Sequence, residues 1–181
     1  LAAVPNQKRD SAATRGTAIH DLAERVAHGE AVNVAPEYAA RVRGYVEWLD
    51  AFEPEVLRTE TPVANRTYWY AGKFDLYVSM FGLRWLLDVK TSRGVYGDTS
   101  LQLAGYAGAE VLVVDGEERP MPPVDRIGVL HVTDEGTDLF DLGDWCAAFE
   151  EFAAARVIYG GATRRRKLIG EPLTPESAWS L

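Results

Sequence analysis

Apolar residues recur at helical spacing over residues 14–29, where Ile19, Leu22, Ala23 and Val26 share one face and His28-Gly29 marks the end. A second amphipathic helix is predicted over 36–52, opening at Pro36, carrying Tyr38, Val42, Tyr45, Val46, Leu49 and Phe52 inward, and closed by Pro54. The pattern then becomes aromatic and β-branched, which predicts strands over about 55–66, 68–80 and 83–91. Ser92 to Gly97 reads as a loop, and Asp98-Thr99-Ser100 offers capping oxygens for a helix through about 113. Asp115 to Pro123 is polar and rich in Gly and Pro, a surface connection. Arg126 to Thr133 alternates as a strand, Asp134-Glu135-Gly136 turns, and Thr137 to Leu142 returns. Residues 144–159 form a last helix with Trp145, Phe149, Phe152 and Ile158 as its packing side. The expected order is ααβββαββα: one α/β (α+β) domain over 1–160, a mixed β-sheet flanked by helices. A basic, then polar tail over 161–181 is expected to lack order.

Within that pattern, the second and third strands form a hairpin. Tyr70 to Met80 and Leu83 to Thr91 flank Phe81-Gly82, a two-residue connection. If that turn sets the register, Met80 pairs with Leu83 and Asp75 lies opposite Asp88. Opposed Cβ atoms sit about 5 Å apart, and at an effective dielectric of about 20 two carboxylates there repel by about 3 kcal/mol. A divalent cation between them reverses the sign of that interaction. Asp88 and Lys90 are two apart, so they leave the same face of their strand. An ordinary Asp–Lys surface pair is the bland alternative, but Trp85-Leu86-Leu87 immediately before Asp88 makes the context apolar.

Composition narrows the setting. With 181 residues and 47% apolar content the chain suffices for one domain with a substantial core. No apolar run approaches the roughly 18 residues of a membrane span, and no signal peptide is visible. The single Cys146 excludes an internal disulfide framework and any zinc or iron–sulfur site held by several thiolates of this chain. A reducing cytoplasm and no membrane partner are therefore expected. The chain begins at Leu1 rather than Met and soon becomes charged, as expected of a fragment or a processed product. A net charge of −8 argues against a surface that binds nucleic acid all over. Acids that hold a metal contribute to that total, however, and the cations cluster at Arg164, Arg165, Arg166 and Lys167. That run is either a solvated tail or a set of phosphate contacts.

Two further features bear on the hairpin. Gly16-x-x-x-His20 puts an imidazole at the rim of an apolar helical stripe, where a structural histidine is the alternative to a ligand. Gln102 and Tyr106 lie at i and i+4 on one helix face, either as packing plus a surface amide or as groups returned to the carboxylates. Taken together, Gly16-x-x-x-His20, Gly72-x-x-Asp75, Asp88-Val89-Lys90-Thr91 and Gln102-x-x-x-Tyr106 resemble the RecB-like branch of the PD-(D/E)xK nuclease superfamily. That branch includes phage exonucleases, nuclease domains of recombination helicases and CRISPR-associated RecB-like exonucleases. The four motifs match in order and approximate spacing over roughly residues 14 to 107.

The resemblance implies a restriction-endonuclease-like core and one or two Mg²⁺ or Mn²⁺ ions. It implies His20, Asp75, Asp88 and the Val89 carbonyl as ligands, Lys90 as the catalytic lysine, and Gln102 and Tyr106 as groups that position the lysine or the DNA. Glu60 is either a further acid at the site or the partner of a nearby cation such as Arg58. Arg93 joins Arg164, Arg165, Arg166 and Lys167 as candidate DNA contacts. Three departures stand out. The four cysteines of cluster-bearing relatives are absent, Asp88 replaces the commoner Glu, and little helical sequence precedes Gly16. The implied activity is a metal-dependent DNA nuclease, an exonuclease of recombination, repair or phage DNA processing in a bacterial or host cytoplasm, with DNA and a helicase or recombination protein as partners. The alternatives are a nucleic-acid-binding module that keeps the fold without catalysis and a metal-free acid–base hydrolase of a small substrate.

Overall fold

The computed structural model describes residues 4–170 and 172, with the side chains of 4–15 and 163 outside that description. Helix α1 (Val4–Ala27) and α2 (Ala39–Phe52), the latter entered through a 3₁₀ turn at Pro36–Tyr38, precede three strands: β1 (Glu55–Asn65), β2 (Tyr70–Met80) and β3 (Leu83–Lys90). Then come α3 (Asp98–Ala107), β4 (Val111–Val114), β5 (Glu117–Pro120), β6 (Arg126–Val132), β7 (Thr137–Gly143), α4 (Cys146–Gly160) and α5 (Ala162–Lys167). The seven strands form one sheet in the order β5-β4-β1-β2-β3-β6-β7. Every neighbouring pair is antiparallel except β3 with β6. This is the expected α/β class, a mixed sheet flanked by helices and compatible with a restriction-endonuclease-like core. Among the described residues no helix is long and apolar enough to cross a membrane.

Each sheet face carries its own core. Ala23, Tyr45 and Trp48 of α1 and α2 pack on Leu76, Val78, Trp85, Leu87, Val89 and Leu130. On the other face Leu103 and Ala107 of α3 cover Val63, Phe74, Leu86, Ile127 and Val129. Trp48, absent from the predicted inward face of α2, is 3% exposed and stacks between Tyr45 and Phe52. Gly105 and Gly108 let α4 lie close on α3, since a Cβ at either would meet the ring of Phe152 or Phe149 at 2.9 Å or less.

The hairpin register follows the turn. Phe81 and Gly82 both have positive φ, as a type I′ turn requires, and the ladder runs from Met80↔Leu83 to Leu76↔Leu87. Asp75 and Asp88 are the next step along, just past the last ladder pair.

Several expectations need correction. Helix α1 starts at Val4 rather than near 14, so helical backbone does precede Gly16. Helix α3 stops at Ala107 rather than near 113, because Gly108 abuts Phe149 and the following Val111-Leu112-Val113-Val114 is rich in β-branched valine. The supposed surface connection contains β5, joined to β4 through Asp115-Gly116, both at positive φ. The order therefore gains two strands and a terminal helix. The basic run is helical, as α5, rather than disordered, and the polar remainder lies outside the described residues apart from 168–170 and 172. Ile158 points to solvent at 63% exposure instead of packing.

Candidate metal centre and its lysine

Five elements converge where β2 and β3 leave their ladder. Strand β3 ends in Asp88, Val89 and Lys90, β2 brings Asp75, β1 brings Glu60, α1 brings His20, and α3 brings Gln102 and Tyr106. The Asp75 carboxylate turns toward β3 and accepts the Val89 N–H at 2.7 Å. The same Oδ2 lies 3.5 Å from His20 Nδ1, which is itself 3.9 Å from Glu60. His20, Glu60 and Asp75 can each offer a ligand atom, all within 4.8 Å of one another. They line a small hollow with Tyr45, Thr59 and Val89 that has space for about one water-sized particle.

Asp88 lies deeper, at 2% exposure. The Lys90 ammonium sits 2.7 Å from its Oδ2 and 3.0 Å from Oδ1, but only the longer contact has hydrogen-bond angles. Oδ2 is thus a buried oxygen held by the charge of the ammonium rather than by a well-aligned hydrogen bond, where buried polar atoms in native proteins usually have one. Burial first, and then the charge of Asp75, push the Asp88 pKa from 3.8 up to about 6, against the pull of Lys90 and His20. Contact with Asp75 raises the His20 pKa, outweighing burial, with the charges of Asp75, Asp88 and Glu60 adding to it. Tyr45, beneath the hollow, is also pushed up, by burial and then by Asp75.

Lys90 is held from behind. Its Nζ donates to Gln102 Oε1 at 3.5 Å, and Gln102 Nε2 donates to the Tyr106 hydroxyl at 3.0 Å. Gly72 permits this, because a Cβ there would meet the Tyr106 ring at 2.4 Å. The glycine of Gly72-x-x-Asp75 is therefore where α3 rests on β2.

The sequence-derived residues His20, Asp75, Asp88, Val89, Lys90, Gln102 and Tyr106 come together. Val89 contributes its N–H to Asp75 and its side chain to the α1/α2 core. Glu60 belongs to the cluster and pairs with Lys73 rather than Arg58. It has φ +42, a backbone irregularity that re-aims its side chain and that no residue pattern announces. Glu24, Thr59 and His28 continue the polar rim: His28 Nε2 lies 2.9 Å from Thr59 Oγ1, which donates to Glu24 at 3.1 Å. Their helical and strand spacing gave no chemical signal. Arg93 stands apart, exposed beside Arg41 and Asp134 on the loop after β3. Arg164, Arg165, Arg166 and Lys167 are exposed on α5, which follows α4, and among the described residues no hydrogen bond or ion pair links them to the centre.

The donor set fits a hard divalent cation: the carboxylate oxygens of Asp75 and Glu60 and the His20 imidazole, with the buried Asp88 carboxylate beside them. No protein-family model matches the chain, and no curated protein sequence matches it. Among solved structures, a crystal structure described as that of SSO0001 shares 15% identity at a TM-score of 0.36, covering 69% of this chain. The match spans 62% of that chain's own length, and a likeness this slight carries no argument.

Proposed function

We propose that this protein is a Mg²⁺- or Mn²⁺-dependent deoxyribonuclease, an exonuclease acting on cytoplasmic DNA in recombination, repair or phage DNA processing. The observation that carries the proposal is Asp88: a carboxylate buried at 2% exposure, whose partner is the Lys90 ammonium, set beside a second carboxylate and an imidazole that burial alone would not bring together. His20, Asp75 and Glu60, whose ligand atoms lie within 4.8 Å of one another, would hold the cation, with Asp88 joining them from β3. When bound, such an ion neutralises charge developing on a phosphate and acidifies a coordinated water.

The chain's own groups supply the rest. Lys90 is 29% exposed, so one side of the ammonium clamps Asp88 while the other is open to a water or a phosphate oxygen. Gln102 fixes its position and Tyr106 fixes Gln102, which limits the freedom Lys90 would otherwise lose on engaging substrate. His20 must be neutral to serve as a ligand, so cation binding displaces the proton that Asp75 favours.

Labelled single- and double-stranded DNA, incubated with Mn²⁺, with Mg²⁺ and with chelator, tests the proposal. Cleavage is expected only with metal, and Lys90→Ala is expected to slow it about a hundredfold or more. Cleavage that survives chelation or Lys90→Ala overturns the mechanism. Retention of DNA without cleavage under either metal points to a binding module of the same fold.

A further inference from the structure

The connection between β1 and β2 holds one large aromatic ring out in water. Residues 66–69 form a four-residue turn closed by the Asn65↔Tyr70 pair. Its last residue, Trp69, has φ +57, a left-handed conformation that Gly or Asn adopts readily and a bulky side chain rarely does. Burial does not compensate, because Trp69 is 76% exposed. The backbone is nevertheless fixed from several directions. The Glu110 carboxylate accepts the N–H groups of Arg66 and Thr67 at 2.9 and 3.1 Å and the Thr67 hydroxyl. Asn65 Oδ1 accepts the Tyr68 N–H at 2.8 Å, and Arg156 donates twice to the Trp69 carbonyl, at 2.6 and 3.2 Å. Tyr68 and Tyr70 on either side turn inward, edge-on to Phe149 and Phe152. Of these three aromatics Trp69 alone is exposed, over an open hollow of about 360 Å³ bordered by Ala64, Arg66, Ala71 and Glu118.

The carboxylates beside the turn are already engaged, in a chain of net charge −8. Glu110 is engaged by the turn, and both oxygens of Glu118 accept from the Nη2 of Arg66. The last turn of α4 abuts the Arg156 guanidinium at Gly160 and leads into α5, where Arg164, Arg166 and Lys167 are exposed. Among the described residues these three have no carboxylate partner. In the other direction β2 runs from Trp69 past Gly72 and the Tyr106 ring to Asp75, six residues on, which at about 3.3 Å each is about 20 Å.

We propose that Trp69 is a stacking platform for a nucleobase of single-stranded nucleic acid, with the α5 cations taking its phosphates. The platform holds the strand about six nucleotides from the carboxylates, at about 3.4 Å per stacked step. It rests on the nuclease reading for its direction, and it supplies what a phosphate-centred site lacks, a sequence-tolerant grip on a base.

The test uses dT oligonucleotides of increasing length, binding measured in chelator and cleavage in Mn²⁺, for the native chain, Trp69→Asn and Trp69→Phe. Asn accepts the left-handed backbone, so the turn survives the loss of the ring. Trp69→Asn is expected to weaken binding of strands longer than about six nucleotides by about tenfold. Trp69→Phe should retain most of the affinity, and a strand abasic throughout should bind the native chain and Trp69→Asn alike. Unchanged affinity in Trp69→Asn, or equal loss on the abasic strand, overturns the platform while metal-dependent cleavage leaves the nuclease reading standing. Trp69-dependent binding without cleavage under either metal does the reverse. A native chain that neither binds nor cleaves removes both.

Discussion

Replacing Asp88 by Asn should make the metal-free protein more stable and, under the proposed function, abolish DNA cleavage. The carboxylate is 2% exposed, and its pKa rises from 3.8 to about 6 on folding. At about 1.4 kcal/mol per pH unit, the ionised form therefore costs the native state about 3 kcal/mol at neutral pH. Below about pH 4 both native and unfolded chains hold the proton and there is no cost. Between about 4 and 6 the native state keeps a proton that the unfolded chain has released, so this group's stability contribution is lost as pH rises through 6. His20 leans the same way, since its native pKa is also raised, and stability from its proton fades above the usual 6.5. Asn keeps the shape without the charge, and Lys90, 29% exposed, recovers water when its partner is neutral. Asp88 also helps His20 hold its proton, so some of the gain is returned, leaving about 1–3 kcal/mol. In urea with chelator at pH 7.5, with a slope of about 2 kcal/mol per molar, the midpoint should rise by about 0.5–1.5 M. At pH 4 the two chains should nearly coincide. A less stable Asn variant at pH 7.5, or the same gain at both pH values, would refute the reasoning and make Asp88–Lys90 a structural ion pair.

Two other substitutions probe the neighbours. Gly72→Ala drives a Cβ into the Tyr106 ring, so it should cost about 1–3 kcal/mol in urea unfolding and lower DNA cleavage by freeing Gln102 and Lys90. Pairing it with Tyr106→Leu should restore stability but not activity; stability that stays low places the clash elsewhere. Glu60→Gln should weaken Mn²⁺ binding in calorimetry about tenfold, and an unchanged affinity would leave Glu60 as the partner of Lys73 alone.

The hairpin was legible because a two-residue turn fixes register and the alternation of side chains then assigns faces, which brought Asp88 and Lys90 together from spacing alone. The class of the fold followed from the same alternation. The β4–β5 hairpin was not legible from hydrophobicity, because only Gly108 and Glu110 interrupt the small and apolar residues between α3 and Val111 to Val114. Asp115-Gly116, a strong hairpin signal, was the clue to it. Glu60 was ambiguous for a deeper reason. Its partner is decided by a left-handed backbone step, and a single φ of that kind leaves no trace in residue type. The poorly aligned contact at Asp88 Oδ2 likewise depends on the angle at which Lys90 arrives, which spacing does not encode.

The parallel pairing of β3 with β6 has a kinetic consequence. Asp88 aligns with Val129, so the chain must close a long loop before that ladder forms, and the loop contains α3 and the β4–β5 hairpin. The β2–β3 hairpin, with both carboxylates, needs only local closure. The carboxylates should thus acquire their spacing early, while Gln102 and Tyr106 arrive with the slower non-local step. In pulsed hydrogen exchange during refolding, amides of β2 and β3 should gain protection before those of β6, so the acid half of the centre would exist for a time without the helix that steadies its lysine.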